Sequence, residues 1–304
     1  MSWQPAERPL GPETRRGGPV ETVLVPPVRD LGDFEVRRLL PAAERQMIGP
    51  FIFFDQMGPT VLGKGRGIDV RPHPHIGLAT VTWLIASEIM HRDSLGSAQA
   101  IRPGEVNWMT AGRGIVHSER TPAEKRGGGE LYGIQTWVAL PKAHEETAPD
   151  FVHVGAAGLP VVKGEGARLT VIAGRAFGRH SPVPVFTDTL YADGRLSAGA
   201  TLKLPGDVEE RGLYVLGGAV EIAGARVEVG AMLVFRPNAE VVVRALADSH
   251  VLLLGGATMD GPRRIWWNFV SSSAERIERA KHDWQAGRFE KVAGDDELIP
   301  LPER

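Results

Sequence analysis

From Val20 to about Leu140 the apolar residues fall in short runs, several with an alternating apolar and polar pattern, and each run is closed by Gly or Pro. Period-two alternation with turn residues between runs predicts strands. They cover Glu21–Val25, Phe34–Arg38, Phe51–Phe54, Thr80–Ile85, Val106–Thr110 and Tyr132–Ala139. Residues 141–167 break the pattern with Pro141, Glu145-Glu146, Pro149 and two glycines at 155 and 158, and read as a connector. A second set of strands follows: Arg168–Ala173, Thr201–Leu204, Leu213–Leu216, Ala219–Ile222, Arg226–Val229 and Met232–Phe235. After Asn268 the period lengthens. Ser272 with Glu275 fits a capping box, and Ile277, Ala280 or Lys281, then Trp284 recur at helical spacing, so an amphipathic helix is expected to end near Gly287. Many short strands with one terminal helix predict an all-β chain of two barrels: residues 19–140, then 168–304 with the helix. Residues 1–18, rich in Pro, Gly, Arg and Glu, read as a flexible arm.

Composition narrows the chemistry. A chain of 304 residues with 42% hydrophobic content can bury two such cores. Lys and Arg number 35 against 37 Asp and Glu, so there is no basic footprint for nucleic acid and no polybasic patch for a membrane. Cysteine is absent, which removes disulfides, thiolate metal sites and a cysteine nucleophile. The opening residues lack the apolar core of a secretory signal and no run approaches a membrane span, so a cytoplasmic protein is expected.

The candidate chemistry lies in two spaced pairs, His73-Pro-His75 and His117-Ser-Glu119. Alternate residues of a strand share a face, so each pair projects two donors together. Facing one another, the pairs would make a four-ligand site. Nitrogen and oxygen donors without thiolate suit one divalent first-row metal, and open positions would suit non-haem Fe(II). Pro74 cannot donate a ladder hydrogen bond, so its strand should be an edge or irregular at that point. The second half holds only His180 and His250, neither in such a pair. His250 reads as a strand histidine, and Trp266-Trp267 as packing residues rather than a platform for bases.

The segments Arg71-Pro-His-Pro-His-Ile-Gly77, His91-Arg-Asp-Ser-Leu-Gly96 and Asn107-Trp-Met-Thr-Ala-Gly-Arg-Gly-Ile-Val-His-Ser-Glu119 resemble the pirin family of the cupin superfamily. The stretches 36–40, 49–58 and 261–273 carry the same likeness. The resemblance implies a bicupin of two jelly-roll barrels, with His73, His75, His117 and Glu119 as ligands of Fe(II) in the first; Ni, Cu, Zn, Mn or Co are the alternatives. It also implies quercetin 2,3-dioxygenase activity on a flavonol and dioxygen, with Glu119 as ligand and general base. Phe53, Phe54, Trp108 and Met109 offer apolar lining for a flat substrate, and Asp55 matches an acidic pocket position. Ala79 and Ile76 depart from residues common in the family, Glu and Arg, which bears on pocket polarity and substrate recognition. The family's other described role implies a redox-responsive regulator that engages a transcription factor or metabolic enzyme. The acidic stretches Glu145-Glu146 and 295–297 would be candidate contacts for such a partner.

Overall fold

The alternating pattern resolves, in a computed structural model that describes residues 18–26, 28–30 and 35–303, into antiparallel strands and one α-helix, Ala274–Gln285. The arm expected over residues 1–18 lies almost wholly outside the described residues. The chain forms two compact units. In the one that carries the paired histidines, a seven-stranded sheet runs in the order Asp150–Val154, Val106–Thr110, Leu78–Ala86, Gly129–Ala139, Phe51–Leu62, Glu35–Leu40, Val28–Asp30. A four-stranded sheet completes it: Asp69–His75, Ile115–Arg120, Ile89–Asp93, Ala98–Ile101. The histidine strand Asp69–His75 is the edge of that sheet, where a proline costs no ladder bond.

The second unit repeats the plan. Its larger sheet takes Val20–Leu24, Met232–Phe235, Glu210–Gly217, Ser249–Gly256, Thr189–Leu196, Ala167–Ala176 and Val161–Gly164 in that order, with Thr201–Lys203, Val242–Ala245, Ala219–Ile222 and Ala225–Glu228 in the smaller. Register explains its core. Val171 pairs with Ala192, Ala192 with Leu253, Leu253 with Leu213 and Leu213 with Leu233, so one apolar row crosses five strands on a single face. All five are buried. The chain is thus an all-β bicupin with a C-terminal helix.

The boundaries differ from a serial division of the chain. Val20–Leu24 pairs with Met232–Phe235 and so belongs to the second barrel, not the first. That unit comprises the described residues up to Pro26 with Ala42–Gly49 and Pro160–Thr258; residues from Met259 onward join the unit of the paired histidines. The reason is side-chain chemistry that short-range pattern does not report. Glu145, 6% exposed, accepts hydrogen bonds from Ser271 Oγ and the Ser272 amide at 2.9 Å and pairs with Arg263 Nε at 2.9 Å. Glu146 binds Arg276 Nε at 2.6 Å. Further along, Arg120 grips Asp295 at 2.8 Å and Glu297 at 2.7 Å. Glu145, Glu146, Asp295 and Glu297, candidate contacts for a partner, thus have ion-pair partners within the chain, while Glu146 and Glu297 stay largely exposed. Ser272 is engaged in the same network, so the helix N-cap is Ser273, whose Oγ accepts the Arg276 amide at 3.2 Å.

The helix closes a small apolar cluster. Ile277 and Ala280 pack with Ile76 and Phe269, and Phe289 stacks on Phe269 with ring centroids 6.2 Å apart. Ile76 follows His75 directly and bridges Phe269, so this cluster sits immediately behind the histidine strand. Trp266 and Trp267 pack against the same cluster, as expected. Replacing Ile277 by Ala should cost about 2–4 kcal/mol, the usual range for a buried Ile truncated in place. Denaturant melts of the two proteins measure this; a midpoint shift worth less than about 0.5 kcal/mol would show that the helix contributes nothing to stability.

Candidate metal centre

The antiparallel register of Ile115–Arg120 against Asp69–His75 sets His117 directly opposite His73. His75, two residues further along the same face, completes a triangle whose ring centroids are 4.5 to 5.0 Å apart. One nitrogen from each ring lies within 4.8 Å of the others, and this is the one such cluster among the described residues. Directly after His75 the chain turns at Gly77, which has φ +69° and whose missing Cβ would lie 2.0 Å from the Val270 carbonyl oxygen. No other residue fits there.

Hydrogen bonds fix which ring nitrogens are free. His73 Nδ1 is 2.8 Å from the Arg71 carbonyl oxygen, which can only accept, so Nδ1 carries the proton and Nε2 keeps its lone pair. A longer chain orders His117. Asp93 Oδ2 lies 3.0 Å from His91 Nε2, which must donate to the carboxylate. His91 Nδ1 is then an acceptor, and it faces His117 Nδ1 at 3.4 Å. His117 therefore holds its proton on Nδ1 and presents Nε2, which is buried with no hydrogen-bond partner. His75 Nδ1 is orphaned in the same way. Two unpaired imidazole nitrogens in one buried cluster are costly unless something binds them, and neutral imidazole lone pairs are what a divalent first-row ion takes. The three histidines fit a metal.

Burial pushes all three rings away from the charged form: His73 falls to about 4, and His75 and His117 lie well below the usual imidazole range. The site is neutral and ready to ligate at physiological pH. Asp93 takes part in two ways. Its Oδ1 accepts the amides of Leu95 at 2.9 Å and Ser97 at 3.0 Å, closing the hairpin after Ile89–Asp93. Burial would raise its pKa, but the His91 and Ser97 donors outweigh that and hold it below the ordinary carboxylate range. The sequence reading missed His91 and Asp93 as site residues. Their signal was a third alternating pair in the motif His91-Arg-Asp93.

Glu119 stands apart from the histidine triangle. A register irregularity between His117 and Glu119 puts Glu119 opposite Val70, and on its other side it faces His91. Its Oε1 lies 3.1 Å from Thr82 Oγ1, which is itself 2.9 Å from the Gln135 side-chain amide. Gln135 presents Oε1 to that hydroxyl, so the single Thr82 proton is shared between two acceptors, Gln135 and Glu119. Burial raises the Glu119 carboxyl above its ordinary value.

Cross-strand rows decide which of the expected lining residues face the site. Phe53, Trp137, Thr80 and Met109 form one row, and Trp137 meets His75 edge-on at 5.2 Å. Phe53 stacks on Trp137 at 4.0 Å. Asp55, Gln135, Thr82 and Asn107 form a second row on the same face, with Asp55 held by Arg38 at 2.8 and 2.9 Å. Phe54 and Trp108 belong to the row between, with Thr136 and Val81, and so point to the opposite face of the sheet. They are core residues, not lining; the period of two separates them from Phe53 and Met109. Phe151, stacked on His91 at 4.4 Å, and Trp137 supply the aromatic wall instead.

Two cupin barrels, one of them bearing a buried three-histidine cluster that could hold a metal, define a bicupin. The family model Pirin matches residues 33–138 and the Pirin C-terminal cupin domain matches 191–290, and the chain belongs to the pirin family. It is 50% identical over 279 residues to a pirin-like protein of Caulobacter vibrioides, covering 90% of this chain and 96% of that one. With a candidate quercetin 2,3-dioxygenase of Pseudomonas aeruginosa the identity is 40% over 258 residues, 84% of this chain and 80% of the other. A solved quercetin 2,3-dioxygenase of Acinetobacter baumannii superposes with a TM-score of 0.85 at 33% identity, covering 93% and 95% of the two chains. No helix among the described residues is long and apolar enough to cross a membrane.

Asp93→Asn should reverse the tautomer chain. An amide NH2 facing His91 Nε2 forces the His91 proton onto Nδ1 and that of His117 onto Nε2, where it blocks the ligand lone pair. Metal affinity is expected to fall about 10- to 100-fold, and 15N shifts of the metal-free protein should show His117 in the other tautomer. Unchanged affinity would break the chain as drawn. The metal-free protein should also lose stability as pH falls through 6.5 toward 4, because the unfolded chain takes up protons that the buried histidines refuse. For His73 alone the loss is about 3 kcal/mol. Urea midpoints from pH 7.5 to 4.5 test this, and the slope should shrink in His73→Gln; an equal slope in both proteins would refute it.

Proposed function

We propose that this protein is a metal-dependent dioxygenase that opens the central ring of a flavonol such as quercetin, with one Fe(II) held by His73, His75 and His117 and with Glu119 beside them as the base. The observation that carries the reading is the buried histidine triangle, with His117 Nε2 unpartnered and its tautomer fixed by Asp93 through His91. The names and likeness of the relatives from Pseudomonas aeruginosa and Acinetobacter baumannii support it. When bound, the ion supplies Lewis acidity toward a flavonol hydroxyl and a redox centre for dioxygen.

The protein's own part is positioning and proton handling. Glu119 accepts the flavonol hydroxyl proton, a task suited to a carboxylate whose pKa burial has raised, and Thr82 orients it. The stacked Phe53 and Trp137 rings form a flat apolar wall beside His75, and Met109 extends that row. Such a wall suits an aromatic substrate. Thr82, Gln135 and Asn107 offer polar groups from the neighbouring row for its hydroxyls.

Protein loaded anaerobically with Fe(II) should consume dioxygen when quercetin is added. Glu119→Gln should lower turnover by about 10² or more, the scale of a lost general base, while the three histidines retain metal. Metal content and oxygen uptake are measured on the same sample. A metal-loaded variant as active as wild type would remove Glu119 as the base. Absence of oxygen uptake by the wild type with any flavonol would overturn the dioxygenase reading in favour of a redox-responsive regulator.

A further inference from the structure

The second barrel carries an arrangement that the metal chemistry does not use. Lys163 pairs in register with Arg168, Arg168 with Arg195 and Arg195 with His250, so four basic residues stand in one cross-strand row over four adjacent strands. All four line one open surface cleft of about 770 Å³. Like charges directly opposite one another in a sheet are destabilising, and here the pairing repeats along the row. Among the described residues Lys163 and Arg168 form no ion pair, and Arg195 approaches Asp193 only at 4.0 Å. Two acids also line the cleft. Asp248 spends one carboxylate oxygen on the Ala198 amide at 2.9 Å, and Glu165 sits at the tip of the hairpin.

The far end of the row is built rather than solvated. His250 is 5% exposed and its Nε2 donates to Asp193 Oδ2 at 2.5 Å, which fixes the ring. The position opposite His250 is Gly217, which has no side chain to cover it. Gly218 follows at φ +72°, and a Cβ there would lie 2.3 Å from the Asp248 carbonyl oxygen. Strands spaced about 4.8 Å apart place the ends of the row roughly 14 Å from each other. A volume of this size is that of a small-molecule site, and charge-assisted bonds from two guanidinium groups suit phosphate or carboxylate oxygens.

We infer that this cleft is a binding site for a small multivalent anion bearing phosphate or carboxylate groups, with Arg168 and Arg195 as its principal donors. The site is separate from the histidine triangle and from the flavonol reading. Full-length, metal-loaded protein is titrated calorimetrically with pyrophosphate and, in a second arm, with citrate; the tighter of the two names the oxygen chemistry. Arg168→Gln with Arg195→Gln should weaken the bound anion about tenfold or more and leave metal content unchanged. Without anion the same double variant should melt about 2 °C higher than wild type, because like-charge repulsion is relieved. Binding that survives the double substitution would overturn the proposal. So would the absence of heat with both anions at millimolar concentration, or binding confined to polyglutamate or an oligonucleotide, which would make the row a macromolecular surface.

Discussion

Everything in the first barrel follows from one constraint: three imidazoles are buried where water cannot satisfy them. Desolvation keeps the rings neutral, and each neutral ring has one donor and one acceptor to place. The fold meets part of that demand with the Arg71 carbonyl for His73 and with the Asp93 and His91 pair for His117. It leaves the remaining lone pairs aimed at one another. An apolar residue at any of these positions would be easier to bury, and the uncompensated nitrogens are what a metal ion could satisfy.

The frame that holds those rings is electrostatic as much as apolar. Arg263 is fully buried yet it touches Glu145, Asp260 and the Leu140 carbonyl oxygen. Glu145 in turn receives two serines from the start of the terminal segment. Breaking such a network leaves a charge stranded in the interior, which is costlier than losing a surface pair. Arg120, two residues beyond the bulged ligand strand position of Ser118, binds Asp295, Glu297 and Asp69. The terminal segment is thereby tied to the same strand that carries His117.

Period and turn chemistry made the strands legible, and the spaced histidines made the candidate metal cluster legible, while the bulge that sets Glu119 apart from it left no local mark. Alternation alone grouped His73 with His75, and His117 joins them through the register of the neighbouring strand. What escaped was set by distance along the chain. No pattern near Val20–Leu24 shows that its partner is Met232–Phe235, and none near Ser272 shows that its hydroxyl is claimed by Glu145. Phe54 and Trp108 were grouped with Phe53 and Met109 because all four are large and near the motifs; the pleat separates them by one residue. His91 escaped as well. Its pairing with Asp93 is local and visible as a third alternating pair, but the role of that pair depends on His117, which faces it from another strand.

The partition of the chain also orders events in time. Residues 69–120 contain every ring of the histidine triangle, but the unit around them includes residues from Met259 onward. A chain emerging from the ribosome therefore exposes its ligands long before Phe269, Ile277 and the Arg120 acids arrive to frame them. Contacts as distant in sequence as Ile76 and Phe269 form late. The second barrel, by contrast, has its last strand once Gly256 is made. The packing behind the histidine strand is thus completed only after the last strand of the second barrel has been made, and a chain stopped short of the helix would leave Ile76 without Ile277 and Ala280 against it.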